Sequence, residues 1–545
     1  MKGSKRKREG NPTREEQEPS STSDPTVNQL YLTPEDGVYF QKHLQDHYKG
    51  FVHLPVDRLE PRDFHEEFKN SLERLRDAGY YQYDVVMAGG KYSSRTFVKR
   101  TLVGNPGITY KYLGLRLFAH AWSGPGCTPL MKSIGDMNQS MIKMTEQFPE
   151  NERCDYNLTL INYMEPTTHT KVGFKDEANY GMGKVSVSWH ADSSLVDNSS
   201  IGVYHCLPTQ RNSKWDWKIA LRPLAIESKD NTGSTKRDNK STIPKPVVVN
   251  TKDGDAYFLL GNFNMKHQHC VLAGSQANRI SSTHRVAVTI EDTYDYILKR
   301  VKIARKRFRL QMETIPPSLQ SPVVGLDAKV IRYCQRILTE VEMEWIAQYW
   351  LQGDQHDKMR VWWQKPMKTL EAYWCALEVY TYRLFEFLLS RIASNDTVPI
   401  DVVKVLIIEF KTRQSFREQW DERRSDKIYQ RRVSEEFRPV ARPIFENNDE
   451  VKIDERRLPK DLTSAIQALS IFLEKDSKGT KSKKVEQVID DHPLPPPSKS
   501  CQSKTSSIVK EDIDTVTTKV SKQQPKEEHS SNAKKKRKKK KRNKK

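Results

Sequence analysis

No uncharged apolar run in the 545 residues approaches the ~20 that a membrane-spanning helix requires, so no membrane association is expected. The early basic string Lys5-Arg6-Lys7-Arg8 is not followed by an apolar stretch, so no secretory signal is expected either. Cysteine is scarce. Its seven residues, an odd count without one Cys-x-x-Cys pair, argue against a disulfide framework or a cysteine zinc site. Reduced thiols in a soluble cytosolic or nuclear protein are the expectation. No internal repeat is visible, which removes solenoid architectures.

What is present divides along the chain. More than half of the formal charge of +21 sits in Lys534–Lys545, where Asn543 is the single residue that is not Lys or Arg. Such a run attracts nucleic acid, serves as a nuclear import signal, or is a solvated tail with no reader. The length exceeds what one core usually supports, so two folded domains plus tails are expected. The reading is a disordered basic segment over 1–29, a sheet-rich domain over 30–292, a helical domain over 293–475, and a disordered Lys-rich tail over 476–545.

Periodicity gives those divisions content. Thr33-Pro34 reads as an N-cap with proline in the first helical turn. Phe64, Phe68, Leu72 and Leu75 predict a helix from about Pro61 to Ala78, stopped by Gly79. Short runs of β-formers follow: 101–103, 156–163, 184–190, 201–204, 215–221, 247–249 and 256–260. A polar excursion over 227–246 interrupts them. This spacing predicts a sandwich or barrel, jelly rolls included. Beyond Thr293 the period turns helical, with Ile331, Cys334, Leu338, Val341 and Trp345 on one stripe and Leu370, Trp374, Leu377, Leu384 and Leu388 on another. These stripes read as bundle core rather than an aromatic ligand cage.

Chemistry concentrates in three strings. Val185, Val187 and Trp189 alternate with Ser186, Ser188, His190 and then Asp192, and side chains two apart on a strand point the same way. His190 and Asp192 therefore reach one point. An imidazole with a carboxylate suits divalent iron, and a third ligand from elsewhere would complete a facial triad with open positions. His267 and His269 are both candidates, and spacing does not choose between them. His284 is a further one, although it falls on the strand face opposite Thr283 and Arg285. Arg279, Ser281, Thr283 and Arg285 share one face of an extended segment, with Ile280, Val286 and Val288 on the other. Two guanidiniums on an inward face are costly without an anion. A dicarboxylate cofactor held by charge-assisted hydrogen bonds is such a partner, while an exposed basic edge strand is the alternative.

His-x-Asp, a later His, and Arg-x-Ser-x-Thr-x-Arg together resemble the AlkB group of iron- and 2-oxoglutarate-dependent nucleic-acid demethylases. Longer strings narrow this: Gly104 to Leu113, Gly181 to Lys184, His267 to Ser275, Glu340 to Trp345 and Trp362 to Met367. Over about residues 30–474 the chain resembles the family of the fat mass and obesity-associated RNA demethylase (FTO). The resemblance implies an α+β fold, with a double-stranded β-helix (jelly-roll) catalytic domain followed by an all-α helical bundle. It implies His190, Asp192 and His269 as ligands of Fe(II), and Asn162, Tyr257, Arg279, Ser281 and Arg285 around 2-oxoglutarate, with O2 as the second co-substrate. On the substrate side it implies Tyr110, Tyr112 and Leu113 lining a methylated base, Arg100 bonding its edge, and Ser188, Ser193 and Lys175 nearby. An aromatic face for a flipped base with polar groups on its edge is physically apt. The stretch from about Lys171 to Lys184 is expected to obstruct a second strand and so favour single-stranded substrates.

The implied activity is oxidative demethylation of single-stranded RNA, releasing formaldehyde, succinate and CO2. N6-methyladenosine leads, with cap-adjacent N6-methyladenosine, 3-methyluridine and 3-methylthymidine behind it. Nuclear location follows, in speckles or nucleoplasm, through import machinery reading the basic tails. The rivals are repair of alkylated single-stranded DNA and a catalytically silent RNA-binding scaffold. Two departures from the family pattern stand out: Ala191 and Ser193 replace an expected histidine and acidic residue, and the segment between His269 and Arg279 is one residue longer.

Overall fold

The computed structural model describes residues 30–88, 92–112, 114–169, 174–208, 217–224, 243–287, 290–315, 325–352, 361–425 and 458–479. Contacts divide the chain into Met1–Ser500 and Cys501–Lys545, and the second unit lies wholly outside the described residues. So do the expected disordered segment 1–29 and residues 480–545 of the tail.

Fourteen strands are described: β1 (Phe51–Leu54), β2 (Gln82–Ala88), β3 (Tyr92–Gly104), β4 (Thr109–Tyr112), β5 (Leu115–Phe118), β6 (His120–Ala121), β7 (Leu158–Met164), β8 (Val185–His190), β9 (Ile201–Cys206), β10 (Lys218–Pro223), β11 (Val247–Asn250), β12 (Ala256–Leu259), β13 (His267–Leu272) and β14 (Arg279–Arg285). The larger sheet runs β1-β12-β9-β14-β7-β3-β2, with β6 beside β3; the smaller runs β11-β10-β13-β8; β4 and β5 form a hairpin. Val203, Tyr257 and Met164 of the larger sheet join Ile219, Leu221, Val249 and Val271 of the smaller in one apolar cluster. That layer between two sheets is the jelly-roll interior.

The outer face of the larger sheet is covered by helices. Preceding them, α1 spans Val38–His47; α2 spans Phe64–Asp77 and α3 Pro129–Thr145. Phe64, Phe68, Leu72 and Leu75 of α2 are buried with Met131, Ile134, Met137, Met141 and Met144 of α3, against Ile161 and Ile280 from the sheet. Gly79, at φ +75°, ends α2 in the left-handed region where glycine has no penalty. Gly202 in β9 has a different cause: a Cβ there would meet Met141 Cε at 2.9 Å, so α3 can lie this close to the sheet only over glycine.

After α4 (Phe263–Lys266) come α5 (Tyr294–Glu313), α6 (Ala328–Glu340), α7 (Ala347–Gln352), α8 (Val361–Ala393), α9 (Ile400–Ser425) and α10 (Thr463–Gly479). Both predicted stripes are buried in a single cluster with Ile297, Val301, Phe308, Val402, Leu406 and Phe410. Phe118 of β5 enters the same cluster, ringed by Trp345, Tyr349 and Trp363 at centroid distances of 5.0–6.3 Å. Trp363 Nε1 donates to the Ala119 carbonyl at 2.8 Å, and Arg116 lies over the Trp345 ring at 4.3 Å while donating to the Glu344 carbonyl. Sheet and bundle are therefore joined by apolar and polar contacts together. Among the described residues no helix is long and apolar enough to cross a membrane.

Several expectations are corrected. Thr33-Pro34 opens only a 3-10 turn, Pro34–Asp36, in which Asp36 accepts from the Thr33 backbone N–H; the α-helix starts at Val38 after Gly37. Helix α3 was not anticipated within the strand-rich stretch. The α6 stripe continues through a wide π turn, Val341–Ile346, not a uniform α-helix. The last helix reaches Gly479, past the expected end at 475. Finally, Val187 does not share a face with Val185 and Trp189. It joins the inter-sheet layer and they join an outer cluster, because bulges shift the β8–β13 register. Trp215, most of the 227–246 excursion and Val288 lie outside the described residues.

Candidate active site

Strands β8 and β13 pair with His190 directly opposite His269, and their ring centroids are 4.2 Å apart. Strand β8 ends at His190, so Asp192 sits on the following turn. Its backbone is fixed there by Asn264: Asp192 N–H donates to Asn264 Oδ1 and Asn264 Nδ2 donates to the Asp192 carbonyl, each at 2.9 Å. One ligand atom from each of His190, Asp192 and His269 lies within 4.8 Å of the other two. Among the described residues this is the one cluster of three such side chains.

Protonation suits a cation. The His190 Nδ1 donates to the Ser188 carbonyl at 2.8 Å, which turns Nε2 toward Asp192 Oδ1, 3.6 Å away. Burial, then the adjacent His190, pushes His269 down to about 3, so this imidazole is neutral at ordinary pH. Burial opposes ionisation of Asp192, but Arg285 and the His190 contact outweigh it and hold the carboxyl well below its usual range. Asp192 Oδ2 is buried and accepts no well-aligned hydrogen bond, but it lies 2.8 Å from Arg285 Nη2, so the guanidinium spans both carboxylate oxygens. Two imidazoles and one ionised carboxylate converging at this spacing fit a divalent metal.

The rival histidines are satisfied elsewhere. His267 stacks on Phe263 at 4.1 Å, and its ring nitrogens face the carbonyls of Phe263 and His47. His284 is wholly buried on the α3 side, beside Asn138, Thr159 and Ser282. Burial pushes it down to about 3.

Strand β14 lies in the middle of the larger sheet, between β9 and β7, and is not an exposed edge. Arg279, Ser281 and Arg285 are all buried on its inward face. Arg285 Nη2 donates to Asp192 Oδ1 at 2.8 Å and Nη1 to the Tyr110 hydroxyl at 3.3 Å. Arg279 has only neutral partners: Nε donates to His205 Nδ1 at 2.8 Å, and Nη1 to Ser281 Oγ at 3.1 Å and Met164 Sδ at 3.3 Å. Burial opposes its charge and the Tyr257 hydroxyl partly supports it. Its Nη2 has no acceptor. Asn162 of β7 stands opposite Ser281, on the same row. A buried guanidinium lacking a counter-charge, with both N–H bonds of Nη2 still to satisfy, fits a carboxylate ligand.

Comparison with known proteins matches the FTO catalytic domain over residues 38–148 and 130–288, and the FTO C-terminal domain over 292–471. The chain belongs to the FTO family. A Xenopus laevis relative described as "Alpha-ketoglutarate-dependent dioxygenase FTO" is 29% identical over 475 residues, spanning 78% of this chain and 88% of that protein. Among solved structures, a prolyl hydroxylase in complex with a hypoxia inducible factor peptide fragment, from Trichoplax adhaerens, matches at 10% identity and a TM-score of 0.26, covering 45% of this chain and 87% of that one.

In this FTO-family chain the remaining sequence candidates divide. Tyr110 is buried beside the cluster of His190, Asp192 and His269, its hydroxyl donating to the Ser193 carbonyl at 2.8 Å, so Ser193 contributes a backbone group there. Arg100 lies across the Tyr112 ring at 4.1 Å and donates to its hydroxyl at 2.9 Å, with Asp84 at 3.8 Å. Asn162 and Arg100 are register partners, which puts Arg100 on β3 two strands from Arg279 on β14. Ser188 is exposed on β8 and touches the site through its carbonyl on His190. Lys175 is exposed; its carbonyl accepts from Val185 N–H, and no side-chain contact ties it to the cluster among the described residues. Leu113 and residues 171–173 of the expected 171–184 loop lie outside the described residues. Sequence reasoning missed Asn264 and His205. Asn264 follows the Gly-Asn-Phe string by no chemical pattern, and His205 was passed over as an ordinary strand residue.

Proposed function

We propose that the chain is an Fe(II)- and 2-oxoglutarate-dependent RNA demethylase acting on N6-methyladenosine in single strands, as an FTO-family dioxygenase. The observation carrying this reading is the convergence of His190, Asp192 and His269 in the same inter-sheet interior as the uncompensated Arg279. His190, Asp192 and His269 would hold the metal. Arg279 would pair with the distal carboxylate of 2-oxoglutarate, with Ser281, Tyr257 and Asn162 around it, and Arg285 would hold Asp192 in its ligating pose. Iron with 2-oxoglutarate and O2 supplies oxidation of an inert C–H bond, here an N-methyl group that then leaves as formaldehyde.

The protein's own residues select what is oxidised. Tyr110, Tyr112 and Leu113 would line the base, and Arg100 would bond its edge. Ser193 meets Tyr110 through its backbone carbonyl, an atom the change from an acidic residue leaves in place. The domains would divide as 30–292 catalytic and 293–475 helical, and the tail beyond 476 would direct nuclear import.

The test is mass spectrometry of single-stranded RNA and DNA oligonucleotides carrying N6-methyladenosine, 3-methyluridine or 3-methylthymidine, after incubation with protein, iron, ascorbate and 2-oxoglutarate. Methyl loss fastest from N6-methyladenosine in RNA is expected. Faster loss from DNA would shift the reading to repair, and no loss from any base would end it.

A further inference from the structure

Away from the metal-ligand cluster, α5 and the first turns of α8 enclose a surface groove of about 660 Å³ lined by Arg305, Lys365, Lys368, Gln364, Thr369 and Tyr373. Helix α5 is unusually basic. Lys299, Arg300, Lys302, Arg305, Lys306, Arg307 and Arg309 lie within it against only Asp295 and Glu313. Some of that charge is internally matched: Arg300 meets Glu340 at 2.6 Å and Arg309 meets Glu313 at 3.4 Å. Arg305 and Lys365 are exposed and, among the described residues, meet no carboxylate. Arg305 instead lies over the half-buried Tyr373 ring at 5.6 Å.

The groove adjoins the catalytic half of the fold. Thr369, whose hydroxyl donates to the Lys365 carbonyl at 2.9 Å, lies on its floor beside Tyr294, and Tyr294 packs edge-on against Trp362. A Cβ at Gly107 would lie 3.0 Å from Trp362 and 3.3 Å from Tyr294, so this corner seats the turn that leads directly into β4 and Tyr110. Cations interleaved with an aromatic ring and amide or hydroxyl side chains form the pattern that tracks a single-stranded backbone while stacking a base.

We propose that this groove binds a stretch of single-stranded RNA outside the catalytic pocket, with phosphates on Arg305, Lys365 and Lys368 and a base against Tyr373. The choice of RNA over other polyanions rests on the demethylase reading above. Arg305, Lys365 and Lys368 are exposed, so neutralising them leaves the core packing in place, whereas Tyr373 packs partly on the bundle core.

The experiment is fluorescence anisotropy of a labelled, unmethylated single-stranded RNA of about 20 nucleotides with the full-length chain. It compares wild type with Arg305→Gln/Lys365→Gln/Lys368→Gln across about 50 to 200 mM salt. Loss of three phosphate contacts should weaken binding by about tenfold at low salt and flatten the log–log salt slope by about 2. Tyr373→Leu should weaken binding about fivefold with the slope unchanged, because stacking releases no counterions. Equal affinity and slope in wild type and the triple variant would overturn the proposal. So would a variant-sensitive affinity for anionic vesicles alone. Methyl loss by the wild-type chain is scored separately: weakened binding without any demethylation leaves the groove standing and removes the demethylase reading, whereas demethylation with unchanged binding does the reverse.

Discussion

Arg279 Nε donates a 2.8 Å hydrogen bond to His205 Nδ1 on the neighbouring strand β9, where both side chains are buried. Burial, followed by the adjacent Arg279, pushes His205 well below the usual histidine range, so it is neutral and acts as the acceptor. The guanidinium is thus aimed by an uncharged partner that does not consume its charge. Arg279→Gln should raise the dissociation constant for 2-oxoglutarate by about 10- to 150-fold, the worth of a charge-assisted hydrogen bond. His205→Ala should raise it only about fivefold and leave kcat unchanged, and His205→Gln should recover part of the loss. Calorimetric titration of 2-oxoglutarate reads both, and equal binding in Arg279→Gln would remove this residue from the cofactor site.

Asn264 holds the backbone of Asp192 on both sides of one residue. Residues that orient a metal ligand typically contribute 10–100-fold to affinity, and Asn264→Ala should weaken Fe(II) binding by about that factor. The substitution leaves all three proposed ligands intact, so an unchanged metal dissociation constant would show that the turn is fixed without it.

Much of this site was legible in the sequence, for a physical reason. Extended chain alternates its side chains, so Arg279 with Ser281 and Arg285 declared a shared face. His190 and Asp192 converge as the spacing suggested, but Asp192 does so from the turn after β8 and not from the strand. The same rule failed to choose between His267 and His269, because it gives both one direction. Their separation comes from tertiary contacts: α4 ends at Lys266, and Phe263 captures the His267 ring. Val187 was misplaced because a bulge breaks alternation, and bulges leave no mark in a short run of Val and Ser. Helix α3 hid behind a weak stripe of Met with Asn138 and Thr145, although Thr128-Pro129 is a good helix start with Thr128 Oγ1 accepting from Met131 N–H at 3.1 Å. The helical half was easier, since its stripes of Leu and Trp are long.

Within the bundle, Glu342 is wholly buried and accepts from Arg417 Nε at 2.6 Å, Arg417 Nη2 at 3.1 Å and Trp374 Nε1 at 3.0 Å; Glu378 pairs with the buried Arg413 alongside. Breaking such a pair strands a charge in the core. Glu342→Ala should lower the unfolding free energy by about 3–5 kcal/mol. Chemical denaturation measures it, and a loss under about 1 kcal/mol would mean that water reaches the vacated site.

Acid should destabilise the apo protein from a higher pH than carboxylates alone would predict. His284 is held near 3 in the fold and titrates near 6.5 when unfolded. Below about 6.5 the unfolded chain takes up a proton that the folded chain refuses, so stability falls as pH drops from there toward 3. By pH 5 this amounts to about 2 kcal/mol from His284, with His205 acting in the same direction. Unfolding midpoints at a series of pH values should fall through this window, and the fall should be shallower in His284→Gln. A flat profile from pH 7 to 5 would contradict the burial argument.

The most direct measurement is anaerobic calorimetric titration of Fe(II) into the apo chain, with and without 2-oxoglutarate, in wild type and in Asp192→Ala. One ion should bind per chain, 2-oxoglutarate should tighten that binding, and Asp192→Ala should abolish it. Fe(II) binding of equal strength in Asp192→Ala, or none in wild type, would contradict the assignment of His190, Asp192 and His269 as a metal centre.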